Sequence, residues 1–181
     1  MGDLPAGASD RIVPDTKDWT WTLSRPCPEC GFDAASVARA DIARLALAST
    51  AAWPVVLERP AATQRPSPTV WSPLEYACHV RDVCRVFKGR VELMLDQDGP
   101  QFANWDQDET AVAERYGEQD PAVVGAEVQE AAAAVAAAFA AVPDDAWDRT
   151  GLRSDGSEFT VQTLGQYFLH DLAHHLVDVG A

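Results

Sequence analysis

The chain has 181 residues, 47% of them hydrophobic, with six tryptophans and a formal net charge of −14. That is enough for one domain with a real core, and too apolar for a disordered chain. The acidity, with no basic patch to offset it, argues against nucleic acid as a partner. No apolar run approaches the roughly 18–20 residues that cross a bilayer, and MGDLPAGASD lacks the basic and apolar regions of a signal peptide. The expectation is a cytoplasmic protein with no membrane partner.

In chain order, residues 1–32 read as an irregular arm, punctuated by Pro5, Pro14, Pro26 and Pro28. Trp19 and Trp21 alternate with threonines, which predicts a short extended segment packed on the body. The remainder, 33–181, reads as one helical domain. A first helix is expected over Asp41–Leu57, with Asp41 as N-cap and Pro54 kinking or ending it. The proline-rich stretch from Glu58 to Val70 is a loop. A second helix opens at WSPLEY: Ser72 is the N-cap, Pro73 the first helical residue and Glu75 the capping-box partner. It runs to about Leu95 and stops at Asp96-Gln-Asp-Gly-Pro100.

The connection after it is long and holds a short helix around Thr110–Arg115. A third helix starts at Asp120-Pro121 and continues to Val142, with Val124, Val128, Val135, Phe139 and Val142 on one stripe. Ser154-Asp155-Gly156 marks a turn between two short strand-like runs, a small hairpin. A fourth helix covers Thr160–Val179. The fold class is therefore all-α, a four-helix bundle with a small β-hairpin before the last helix.

Chemistry concentrates in the histidines. His79 lies on the apolar stripe of the second helix with Tyr76, Val83, Val86, Phe87 and Met94. A histidine there is either a core residue held by one hydrogen bond or an inward-facing ligand. His170 and His174 stand at i and i+4 on the last helix, the spacing by which one helix offers two imidazoles to one metal. Asp171 and His175 have the same spacing and remain an alternative pair. A solvated polar arc of His170, Asp171, His174, His175 and Asp178 is the bland reading. If the second and fourth helices are neighbours, His79, His170 and His174 can meet at one divalent metal and leave positions open for water or substrate. Asp82 and Asp178, each one turn after a histidine, are candidate acceptors for a ring N–H.

Cys27-Pro28-Glu29-Cys30-Gly31 is half a zinc knuckle. Free thiols, a metal site and a redox pair all stay open for it. Folding of the arm toward His79 would bring one of these thiols to the site. Cys78 and Cys84 point in different directions from one helix. Trp105, in the long connection, is a candidate pocket rim, and Arg153 a candidate anion contact. Phosphate-binding glycine loops and the serine-hydrolase elbow are absent from the sequence.

The order WSPLEYACHVRDV, alanine-rich helix, hairpin and HDLAHH resembles the DinB-like superfamily over about Asp41–Val179. That superfamily includes metal-dependent mycothiol and bacillithiol transferases and mycothiol-dependent maleylpyruvate isomerases. PCPECGFD resembles a feature of an actinobacterial branch of it. The resemblance implies a four-helix bundle, often dimeric, holding a divalent metal with three histidines. At the matching positions these are His79, His170 and His174, and the ion is zinc, with nickel or iron as alternatives. It implies a small-molecule substrate and a low-molecular-weight thiol such as mycothiol, made nucleophilic at the metal. The competing expectation is a non-catalytic helical binding or dimerisation module.

Overall fold

A computed structural model describes residues 12–14 and 17–181. The rest of the expected arm, 1–11 and 15–16, lies outside the described residues. Six α-helices and one hairpin follow the arm: α1 Ile42–Thr50, α2 Trp53–Leu57, α3 Pro73–Asp96, α4 Gln107–Ala113, α5 Pro121–Ala140, β1 Thr150–Leu152, β2 Glu158–Thr160 and α6 Val161–Asp178.

The first expected helix is two. The chain turns at Ala51–Ala52 and resumes as α2, with Pro54 accommodated in its first turn, where a missing N–H costs nothing. Asp41 does not cap α1 with its side chain; its carboxylate is taken by Arg44 at 2.8 Å. At α3 the expected start is present in full. The Ser72 hydroxyl accepts from the Glu75 N–H at 3.2 Å, and the Glu75 carboxylate accepts from the Ser72 N–H at 2.8 Å. Arg65 donates to the same carboxylate at 2.9 Å and ties the preceding loop to the helix start. Thr160 caps α6 with a reciprocal box to Thr163, and the Asp120 carboxylate caps α5 by accepting from the N–H groups of Ala122 and Val123. The short helix in the connection is Gln107–Ala113, three residues earlier than expected, because Asp106 accepts from the N–H groups of Asp108 and Glu109 and so starts it there.

Around the bundle the neighbours run α1–α5–α3–α6 and back to α1. The second and fourth expected helices, α3 and α6, are therefore adjacent. Gly165 lets α6 sit close to α1: a Cβ there would lie 2.7 Å from Ile42 Cδ1 and 3.0 Å from Phe139. Two stretches, Arg39–Leu57 and Pro121–Ala140, prove long and apolar enough by composition to cross a bilayer. Here both pack in the bundle, and Val124, Val128, Val135 and Phe139 of α5 are buried against it. The hairpin pairs Thr150 with Thr160 and Leu152 with Glu158, and it leads straight into α6.

Trp19 and Trp21 do not form an extended segment. Thr20–Leu23 is a 3-10 turn, started by the Asp18 carboxylate accepting from the Thr20 N–H and hydroxyl at 2.9 and 2.7 Å. It packs on α6.

Candidate metal centre

The three histidines expected to share one ion are divided between two clusters on α6. His79 gathers with Asp171 and His175. His170 and His174 gather with Cys27 and Cys30. In each group the candidate ligand atoms lie within 4.8 Å of one another. The physical reason is the helical step. One residue along a helix turns the side chain by about 100°. The pair Asp171/His175 is thus rotated from the pair His170/His174, and the two look at different neighbours: the first at α3, the second at the arm.

His79 is 1% exposed. Its Nε2 is 3.6 Å from Asp171 Oδ1, a contact too long for a hydrogen bond. Both His79 ring nitrogens and Asp171 Oδ1 are buried without a hydrogen-bond partner. His175 completes the group, with Nε2 3.8 Å from the same carboxylate oxygen. Its Nδ1 donates to Asp178 Oδ2 at 2.8 Å, which leaves the Nε2 lone pair directed at Asp171 and His79. Asp178 is therefore an orienting acceptor, as the i,i+4 reasoning allowed, though chiefly for His175. Asp82 is not: it accepts from Arg81, Arg85 and the Tyr116 hydroxyl, the last at 2.6 Å.

Electrostatics suit a cation. Burial holds the His79 imidazole below its ordinary value, which favours the neutral ring with one nitrogen lone pair available. Burial alone would raise the Asp171 carboxyl; His175 and His79 outweigh it and bring it down to about 2. Orphaned buried nitrogen and oxygen atoms are rare in folded proteins, and two imidazoles with one carboxylate are an ordinary divalent-metal set. The residues fit the group.

Trp71 and Trp105 flank His79 at 5.3 and 5.7 Å between ring centroids, the latter stacked. Trp105 is thus part of the site rather than loose surface packing. Asp171 and His175 face a cleft of about 560 Å³, also lined by Trp19, Tyr76, Trp105, Arg153 and Tyr167. Arg153 is held at its rim by Asp155 at 2.9 Å.

In the second cluster Cys27 is 1% and His170 4% exposed. Along the polar arc of α6, His170 is buried, Asp171, His174 and His175 are half-buried, and Asp178 is exposed. Trp19 lies over both imidazoles, 5.4 Å from His170 and 4.9 Å from His174. The arm does fold over, but onto α6 rather than toward His79. Burial, reinforced by His174, lowers the His170 pKa to about 4. Cys78 and Cys84 stay in the core, where burial pushes both thiols up to about 12.

A family model described as the DinB superfamily matches residues 46–178. The chain belongs to the DinB superfamily. Among solved structures, this DinB-superfamily chain is similar to YfiT from Bacillus subtilis, described as a probable metal-dependent hydrolase with an unusual four-helix bundle topology. The TM-score is 0.70 at 17% identity, covering 80% of this chain and 89% of that one. The likeness supports the bundle fold inferred from the sequence. No curated protein matches the chain.

The sequence contained the signal for Asp171 and His175, their i,i+4 spacing, but nothing in it ranked that pair above His170 and His174. Trp71 had a signal in the pattern Trp71 to His79, a tryptophan eight residues before the histidine that is part of the resemblance, but nothing in it placed the indole against the imidazole.

Proposed function

We propose that this DinB-superfamily protein is a metal-dependent enzyme that uses a low-molecular-weight thiol, of the mycothiol or bacillithiol kind, to transfer to or isomerise a small-molecule substrate. One observation carries the reading: buried, partnerless donor atoms of His79 and Asp171 converge with His175 at the wall of an open cleft. A divalent metal held by these three residues would supply Lewis acidity, making a thiol or a water nucleophilic near neutral pH.

The chain's own residues do the rest. Asp178 holds the His175 tautomer that presents Nε2. Trp71 and Trp105 keep bulk water from His79 and lower the local dielectric, which strengthens every charge interaction inside. Arg153 offers a cation at the cleft rim for a carboxylate of the substrate or thiol. Three protein donors, fewer than a closed structural site uses, leave room for a reacting group. Such thiols are kept reduced in the cytoplasm, the compartment this chemistry requires.

Water as the nucleophile is the second reading, favoured by the description of YfiT as a probable metal-dependent hydrolase. The test is incubation of zinc-, nickel- or iron-loaded protein with mycothiol or bacillithiol and a panel of electrophiles and esters. Thiol consumption abolished by Asp171→Asn supports thiol transfer. Ester cleavage without thiol supports hydrolysis. Metal bound with neither reaction supports a non-catalytic module. Full metal content retained by both His79→Ala and Asp171→Asn would exclude the site itself.

A further inference from the structure

The second cluster has the composition of a different kind of centre. Two cysteines separated by two residues on the arm face two histidines one turn apart on α6, all four ligand atoms within 4.8 Å of one another. The local backbone is built for it. Gly31 takes a left-handed conformation, φ +74°, so that its N–H donates to the Cys27 carbonyl at 2.8 Å, while the Cys27 N–H donates to the Phe32 carbonyl at 3.0 Å. This closes the C-x-x-C into a tight loop with both thiols on the α6 side. A residue with a Cβ is strained at that φ, which accounts for the glycine directly after Cys30.

Two observations point to a ligand between the arms of this cluster. His170 Nε2 is buried without a hydrogen-bond partner. Cys27 Sγ stands 3.8 Å from His174 Nδ1. Sulfur and nitrogen donors on one tetrahedral zinc are separated by roughly 3.5–4 Å, given bonds of about 2.3 and 2.0–2.1 Å. His174 Nε2 faces two carboxylates, Glu29 Oε2 at 3.7 Å and Asp178 Oδ1 at 3.9 Å, near but beyond hydrogen-bond distance, while Nδ1 is the ring nitrogen on the side of Cys27.

We propose that Cys27, Cys30, His170 and His174 form a closed tetrahedral site for zinc, distinct from the open centre at His79, Asp171 and His175. Two thiolates and two imidazoles fill all four positions, so this ion carries no substrate and its task is structural. Both thiols lose their protons on binding, and two thiolates neutralise the dication. The ion clasps the arm to the last helix. Trp19 and Glu29, which the arm contributes to the cleft, are positioned by that clasp, so the wall of the open centre depends on it.

The experiment is cobalt titration of the reduced, metal-free full-length chain, which needs no mutation. The expected result is two equivalents bound, one of them with the intense near-ultraviolet sulfur-to-cobalt absorption of a thiolate site and visible bands of tetrahedral geometry. Zinc displaces that signal. Cys27→Ser and His174→Ala each lose the thiolate signal and one equivalent, and keep the other. Asp171→Asn loses the other equivalent and keeps the thiolate signal, so failure of the open centre and failure of the closed one are read separately. Absence of the sulfur-to-cobalt band in the reduced wild-type chain overturns the proposal, as does its persistence in Cys27→Ser.

Discussion

The two donor clusters of α6 are one residue out of step and differ in the number of their donors, in donor chemistry and in the element that completes them. His79, Asp171 and His175 draw two donors from α6 and one from α3; Asp171 and His175 line the cleft, as His170 and His174 also do, and His79 is buried behind it. Cys27, Cys30, His170 and His174 draw two donors from α6 and two from the arm, beneath Trp19. The first has three donors, one a carboxylate; the second has four, two of them thiols. A helix can serve an open centre and a closed one at once because adjacent residues diverge by about 100°. Donor number and neighbour, rather than spacing along the helix, separate a site fit for chemistry from one fit for holding the fold.

The largest expected effect comes from breaking the open centre. His79→Ala removes a buried ligand and should reduce metal-dependent turnover by well over the roughly 10–100-fold that outer partners carry, measured as kcat/KM on the metal-loaded protein. The closed centre should be untouched. Next is removal of the closed centre. If free zinc exceeds the site's Kd 100-fold, binding adds about 2.7 kcal/mol. Cys27→Ser should then lower Tm by about 5–11 °C in calorimetry with zinc present, and chelation should do the same to the wild type. Equal Tm values would remove the structural distinction.

Asp178→Ala sharpens the comparison, because Asp178 touches both clusters. It accepts from His175 at 2.8 Å and only approaches His174 at 3.9 Å. Metal affinity should fall by about 10–100-fold at the open centre and change less at the closed one, by competition with a chromophoric chelator. An equal loss at both would erase the asymmetry.

The smallest effect serves as a control away from α6. Burial alone would raise the Glu75 carboxyl, but Arg65 and the Ser72 N–H hold it below the ordinary glutamate value. Its stabilisation is complete above the unfolded value near pH ~4.3 and is lost as pH falls through the folded value. Glu75→Gln should cost about 1–2 kcal/mol at neutral pH and flatten the acid limb of the stability profile in urea titrations. Metal content should not change.

Much of this fold is legible locally. The capping box at Ser72 and Glu75, the Asp120-Pro121 start and the Ser154-Asp155-Gly156 turn depend on side chains reaching backbone groups within three residues, and each stands where the sequence puts it. Asp41 and the Trp19–Trp21 stretch read less well. In both, a neighbouring side chain competes for the backbone or carboxylate: Arg44 takes Asp41, and Asp18 starts a 3-10 turn.

For the candidate centres, the sequence by itself supplied the donors and their spacing: an inward histidine on α3, two interleaved i,i+4 pairs on α6, and a C-x-x-C loop on the arm. Their partition was decided by tertiary structure alone. Which of two pairs meets His79 depends on how far α6 is rotated about its own axis, and that rotation is set by packing. Gly165 against Ile42 and Phe139 places one side of the helix, and the arm seated under Trp19 covers another. A turn of about one residue would exchange the roles of the two pairs, and spacing cannot register such a turn because both pairs share it.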